Sequence, residues 1–352
     1  MKLCGRHAHK QRLPSKALPA KLSLLEISDE GCHVLRALSG ATMNGPLLSK
    51  EYSQEAIRAV KKGLLPIIFF LGVNLVTPLG SSNSVHADDY ISPDLVKVTT
   101  PLYRPNKHIF RPKLGVYEYS VGWEGITAAS CAVTITKKEG TYVVDAAART
   151  YTGVDLLYKL RYEAIGTISA DDFSSISLSI DHRENSRRKN IEMSFQPEQG
   201  AITATRGKGA DDPEKKTVSF TPNNLTLDPI GAVFLARGLE WQIGDTKHFD
   251  VFNGKSRYFI SLSAVERTTI NYKGEKRPVI VISPQVRNLT TTKPRAKLRE
   301  AAIYVSDDEN RDVLRIVSSV FIGSVITELE SFTPETALTN PLELVKANAD
   351  TE

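Results

Sequence analysis

Leu114-Gly115-Val116-Tyr117-Glu118-Tyr119-Ser120-Val121-Gly122-Trp123 is the stretch whose reading decides the fold. Tyr117, Tyr119, Val121 and Trp123 alternate with Glu118, Ser120 and Gly122. In an extended chain successive side chains point to opposite faces, so this order gives one aromatic face and one small or polar face. A helix would scatter the same residues around its axis. The stretch therefore predicts a β-strand with Tyr117, Tyr119 and Trp123 side by side.

The same period recurs downstream. It predicts strands at 131–137, 141–149, 156–165, 174–182, 190–196, 201–206 and 216–220. A second set covers 247–253, 256–267, 277–288, 297–306, 312–320 and 323–330. Turn signals separate them at Lys138-Glu139-Gly140, Asp171-Asp172, Glu198-Gln199-Gly200, Asn253-Gly254 and Lys273-Gly274. Asn253-Gly254 reads as a type I′ hairpin turn. Many short strands without intervening helices predict a mainly β fold: an antiparallel meander forming a curved sheet, half-barrel or sandwich. One short helix is expected on it. Asp228 caps it, Pro229 suits its first turn, and Ile230 to Arg237 continue it to Gly238. Such a helix is expected to cover the concave face.

The other segments frame this β domain, expected over 114–330. Pro93, Pro101, Pro105 and Pro112 make 88–113 an extended lead-in, and 331–352 is a polar tail. Residues 1–87 read as a basic leader ending in a signal peptide. Lys61 and Lys62 precede an apolar run from Gly63 to Val76, and Val85-His86-Ala87 forms an A-x-A-like end. Cleavage is expected after Ala87, giving a periplasmic product. Pro66, Asn74 and Pro78 interrupt the run, which is too short for a comfortable membrane span. No integral span is expected after processing.

Charge follows the same division. The leader holds 11 of the 45 basic residues and 5 of the 40 acidic ones, leaving 34 and 35 in the remaining 265 residues. A chain this balanced has no electrostatic reason to bind nucleic acid. Cys4 and Cys32 lie in the leader, so Cys131 alone follows it and no internal disulfide is expected. In its apolar setting Cys131 reads as a small buried residue. His108, His182 and His248 are scattered without ligand spacing, so neither a metal nor another cofactor is expected.

Three stretches resemble a bacterial envelope family known as domain of unknown function 3108. They are Leu114 to Ala129, Asp228 to Arg237, and Tyr304-Val305-Ser306-Asp307-Asp308-Glu309-Asn310-Arg311. The order and spacing fit across 114–330, although Tyr304 stands where the family usually has Trp and Val313 where it has Pro. The resemblance implies an antiparallel β protein of the cell envelope and no assigned reaction.

Two functional readings stay open. In the first, the concave face binds a lipid, a glycan or an envelope partner without catalysis. Tyr117, Tyr119, Trp123 and Phe234 would line the site, with Arg237 at its rim for an anionic head group. The same aromatics would also make an ordinary closed core. In the second, paired carboxylates at Asp307-Asp308-Glu309 hydrolyse an envelope polysaccharide. Those residues equally suit a tight turn, with Asp307 bonding the backbone and Arg311 pairing with a neighbour. His182 to Lys189 reads as a basic hairpin tip. Catalytic signatures such as Gly-x-Ser-x-Gly are missing, which favours binding. The oligomeric state has no signal.

Overall fold

The computed structural model describes residues 90–337, apart from 109, 157, 197–199, 210–213, 292–299 and 320–323. The signal peptide, its cleavage point after Ala87 and most of the polar tail lie outside the described residues. So does part of the Glu198-Gln199-Gly200 turn.

Among the described residues, fifteen strands form one sheet. The first eight are β1 Gly115–Trp123, β2 Ile126–Lys138, β3 Thr141–Thr150, β4 Leu160–Ser169, β5 Ser175–Glu184, β6 Arg187–Gln196, β7 Ala201–Gly207 and β8 Lys216–Phe220. The rest are β9 Thr226–Leu227, β10 Thr246–Phe252, β11 Arg257–Tyr272, β12 Glu275–Asn288, β13 Glu300–Ser306, β14 Val313–Ser319 and β15 Ser324–Pro334. Two α-helices occur among the described residues, α1 Thr152–Asp155 and α2 Pro229–Arg237. The order across the sheet runs from β8 down to β1, then from β15 down to β9. Two meanders thus meet along the antiparallel β1–β15 pair, in which Tyr117 faces Phe332 and Val121 faces Thr327. The two-residue pairing of β9 with β10 is parallel.

Tight turns set the registers. Glu124-Gly125, Glu139-Gly140 and Lys273-Gly274 each place two successive residues at positive φ, the type I′ pattern that matches strand twist. Asn253-Gly254 departs from expectation. The turn is centred one residue later, on Gly254-Lys255 between the bonded Asn253 and Ser256, and only Gly254, its first central residue, takes a positive φ, 82°, which is the II′ pattern. Asn253 shapes the turn instead through its side chain, whose Oδ1 accepts from Lys255 N and Ser256 N. A second departure is β4, which starts at Leu160 and not at residue 156. The chain first makes α1, where Asp155 takes both Arg161 Nη2 (2.6 Å) and Arg161 Nη1 (3.1 Å).

The sheet curls until its ends nearly meet, but it stays open, with β8 and β9 as its two edges. The ring of Phe220 on β8 packs edge-on to Phe252 on β10, 5.0 Å between centroids. A Cβ on Gly254 would lie 2.4 Å from Ile191 Cγ2 of β6, so only glycine fits this approach. A buried polar clasp completes the seam. Arg257 and Asp250 are at most 1% exposed. Arg257 Nε and Nη2 donate to Asp250 Oδ1 and Oδ2 at 3.1 and 2.5 Å. Arg257 Nη1 donates to the carbonyls of Pro93 and Val96 in the lead-in. Thr226 Oγ1 of β9 donates to Asp250 Oδ2, and the guanidinium lies over Phe220. One arginine so joins β8, β9, β10, β11 and the lead-in. Asn223 adds a reciprocal pair with the backbone of Val98.

The main core fills the curl under α2. Phe110, Phe173, Phe234 and Tyr142 form its aromatic centre, with ring centroids 5.8–6.4 Å apart. Phe173 takes a left-handed φ of 58°, costly for a bulky side chain, and this packing holds it there.

Candidate functional site

Both ends of α2 are pinned. Asp228 is fully buried, and its Oδ1 accepts from Ile230 N at 2.6 Å and Gly231 N at 3.1 Å. Burial holds this carboxyl above its usual range, against the downward pull of Ser175 and the helix N–H groups. At the other end Arg237 reaches the β13–β14 turn. Its Nε donates to Arg311 O at 2.8 Å, and its Nη2 to Asn310 O at 3.1 Å and Asp312 Oδ1 at 3.4 Å. Lys113 pairs with Asp312 Oδ2, and Tyr117 OH donates to Asp312 Oδ1. Burial raises the Tyr117 phenol above the usual tyrosine value, so it stays a donor.

Between α2 and the sheet lies a cavity of about 190 Å³. Tyr117, Tyr119, Ile135 and Val144 line one side, and Phe234, Arg237 and Trp241 cover it. Val251, Ile260, Ile280, Ile282 and Ile303 line the far side. Among the described residues, no Asp or Glu lines it. Tyr119 keeps partial exposure although burial raises its phenol well above the usual value. The surface it retains faces this cavity.

The residues expected at a site are thus placed as follows. Tyr117, Tyr119, Phe234 and Arg237 all border the cavity. Trp123 does not; it packs in the main core. Arg237 commits its Nε and Nη2 to the turn, and Arg311 joins it in the cavity lining. Arg311 lines the cavity from a left-handed φ of 50°. Such a backbone costs on the order of 1–3 kcal/mol in a non-glycine residue and persists only where neighbours impose it. Here Asp308 Oδ1 accepts Arg311 N–H at 3.2 Å and Arg237 holds its carbonyl. Burial lowers the Arg311 guanidinium from the usual arginine range, with Asp307 acting in the opposite sense. The far side from β10 to β13 carried apolar alternation in the sequence, but nothing there said which face the helix would cover.

The two aspartates of the turn are engaged, while Glu309 is exposed. Asp308, and not Asp307, bonds the backbone: its Oδ1 accepts from Asn310 N, Arg311 N and Ser306 Oγ. Asp307 Oδ2 accepts from Arg267 Nε at 2.9 Å, and Asp307 Oδ1 is 3.7 Å from Arg311 Nη1. Partial burial raises the Asp308 carboxyl, but the hydrogen bonds from Ser306 and from the Asn310 and Arg311 N–H groups, with the nearby Arg277, together hold it below its usual range. Cys131 is a free buried thiol, and burial pushes it to about 12, far from a thiolate nucleophile at neutral pH.

The β5–β6 hairpin differs from a plain basic tip. Arg183 and Arg188 share Asp181 at its surface, while His182 turns inward beside Tyr162. Both ring nitrogens of His182 are buried without a partner among the described residues. Burial, aided by Lys189, lowers His182 to about 4. Above pH 6.5 it is neutral folded or unfolded. As the pH falls from about 6.5 to 4 the unfolded chain takes up the proton first, so stability is lost at up to about 1.4 kcal/mol per pH unit. Urea midpoints at pH 7.5 and pH 5 are expected to converge in His182→Phe relative to the parent; an unchanged gap would assign the acid sensitivity elsewhere.

Comparison of the sequence with curated proteins finds no match. Among solved structures, the chain is similar to a beta-barrel-like protein of domain of unknown function DUF1849 from Brucella abortus. That likeness has a TM-score of 0.43 and 9% identity, covering 62% of this chain and 96% of that one. It is also similar to the hypothetical lipoprotein YmcC from Escherichia coli, with a TM-score of 0.25 and 8% identity, covering 64% of this chain and 90% of that one. Likeness this low transfers no function. The family model described as protein of unknown function DUF3108 matches residues 118–330. That span is more than half of the chain, and the chain belongs to the DUF3108 family.

Proposed function

We propose that this protein is exported to the cell envelope, where it holds an apolar ligand, a lipid or other acyl-bearing molecule, without catalysis. The observation that carries the reading is the cavity itself: about 190 Å³, walled by aliphatic and aromatic side chains, with no carboxylate among its described lining residues. Hydrolysis of a glycan would need a pair of carboxyl groups flanking the bond. Asp307 and Asp308 instead serve arginines and the turn backbone. An acyl chain gains about 0.8 kcal/mol for each methylene it buries in such a cavity, less the cost of association. Export is supported by the Lys61-to-Ala87 pattern, and a periplasmic product beginning at Asp88 would verify it.

The test of binding uses 1-octanol titrated calorimetrically into the protein. Saturable one-site binding is expected. Ala146 lines the cavity and is buried. Ala146→Phe fills the space and is expected to abolish binding, with a stability change of at most about 1–3 kcal/mol. A parent protein that binds no octanol, or a folded variant that binds it equally well, would show that the cavity is only a packing defect.

A further inference from the structure

The two guanidiniums at the cavity differ in what their hydrogens do. Those on Nε and Nη2 of Arg237 go to carbonyls of the 310–311 backbone and to Asp312. Arg311 has an 11% exposed side chain, and its Nε and Nη1 are buried without a hydrogen-bond partner among the described residues. The nearest carboxylate, Asp307, stands 3.7 Å from Nη1, beyond hydrogen-bond reach, and its other oxygen is taken by Arg267. Glu240 also faces this region, but it is exposed and accepts from Asn106 Nδ2. Lys113 and Arg237 share Asp312, and Arg267 and Arg311 share Asp307. Asp308 stands against Arg277, so charge at this end is close to balanced, and what is left unmet is the hydrogen-bonding capacity of the buried Arg311 Nε and Nη1. The backbone of Arg311 is held from both sides, by Asp308 at its N–H and Arg237 at its carbonyl. The side chain is thereby presented to the cavity by a rigid turn.

We propose that Arg311 anchors a single anionic head group, a carboxylate or a phosphate ester, on an acyl chain that lies in the cavity. This rests on the reading of the cavity as an apolar ligand site. A planar guanidinium with vacant donors matches two oxygens of one anion, and a buried donor left unmatched is unfavourable. The chemistry so divides the ligand: methylenes against Tyr119, Phe234 and Ile282, oxygens against Arg311. Size restricts it further. An apolar cavity of about 150 Å³ takes one benzene ring. A cavity of about 190 Å³ accommodates a single chain segment on the order of six to eight carbons, not the paired tails of a phospholipid.

The experiment compares octanoate, octyl phosphate, 1-octanol, acetate and inorganic phosphate on the purified full chain by calorimetry. Octanoate or octyl phosphate is expected to bind about tenfold or more tightly than 1-octanol. Arg311→Gln is expected to erase that preference, with Arg311→Lys intermediate because it keeps charge but not the fork. Equal binding of octanoate and octanol by the parent protein would overturn the anchor and leave the apolar site standing. Acetate or phosphate binding as tightly as its octyl counterpart would overturn the chain-bearing ligand. Failure of every octyl compound to bind would overturn both this inference and the reading beneath it. The parent-protein arms decide the matter even if the Arg311 variants do not fold.

Discussion

Arg257→Met is expected to lower the unfolding free energy by about 3–5 kcal/mol, the cost of leaving one partner of a buried ion pair behind. Asp250 would keep only Thr226 as a partner, in a place where its carboxylate sees no solvent. The carbonyls of Pro93 and Val96 would lose their donor as well. The double variant Arg257→Met with Asp250→Leu is expected to recover much of the loss, because it removes the stranded charge. Denaturant midpoints for the parent, the two single variants and the double variant check this. A single variant within about 1 kcal/mol of the parent would mean that the clasp adds little to the seam.

Trp123→Ala is expected to cost about 3–5 kcal/mol through the cavity it leaves in the main core. It is also expected to leave octanol affinity where it was. Trp123 is 6% exposed and lies outside the cavity lining, although it shares a strand face with Tyr117 and Tyr119. Thermal unfolding and calorimetry on the same preparation separate the two effects. Lost octanol binding in a folded variant would extend the site along the whole aromatic face of β1.

Most of the strands were legible because period-2 alternation survives wherever one sheet face is buried. Tyr117 to Trp123 states it outright. The start of β4 was not legible, because Leu156 and Tyr158 continue the alternation while Asp155 is captured by Arg161 into a helical turn. The sequence also carries no letter for which aromatics border space and which are packed solid. Tyr117 and Trp123 look alike in the pattern and differ only in what α2 and the distant β11–β13 strands put above them. The roles of Arg237 and Arg311 were hidden for a related reason. The groups that occupy Arg237 include the backbone carbonyls of Asn310 and Arg311, which every residue possesses. Only the left-handed turn at Arg311 brings them into place.

The joining of two meanders through β1 and β15 has a kinetic consequence. Nearly all other strand pairs are neighbours in the chain, so each half can zip from its own hairpins with little loop to close. The β1–β15 pair is the exception, because residues 115–123 must find residues 325–334 across almost the whole described chain. While the chain is still being delivered from its N-terminal end, β1 pairs only with β2 and shows its other side as a bare edge. Such an edge invites pairing with a second molecule. Of the described strands, the last to arrive is the one that removes this hazard. Truncation before Ser324 therefore threatens more than local stability: it leaves the middle of the sheet, and not merely its rim, open to aggregation.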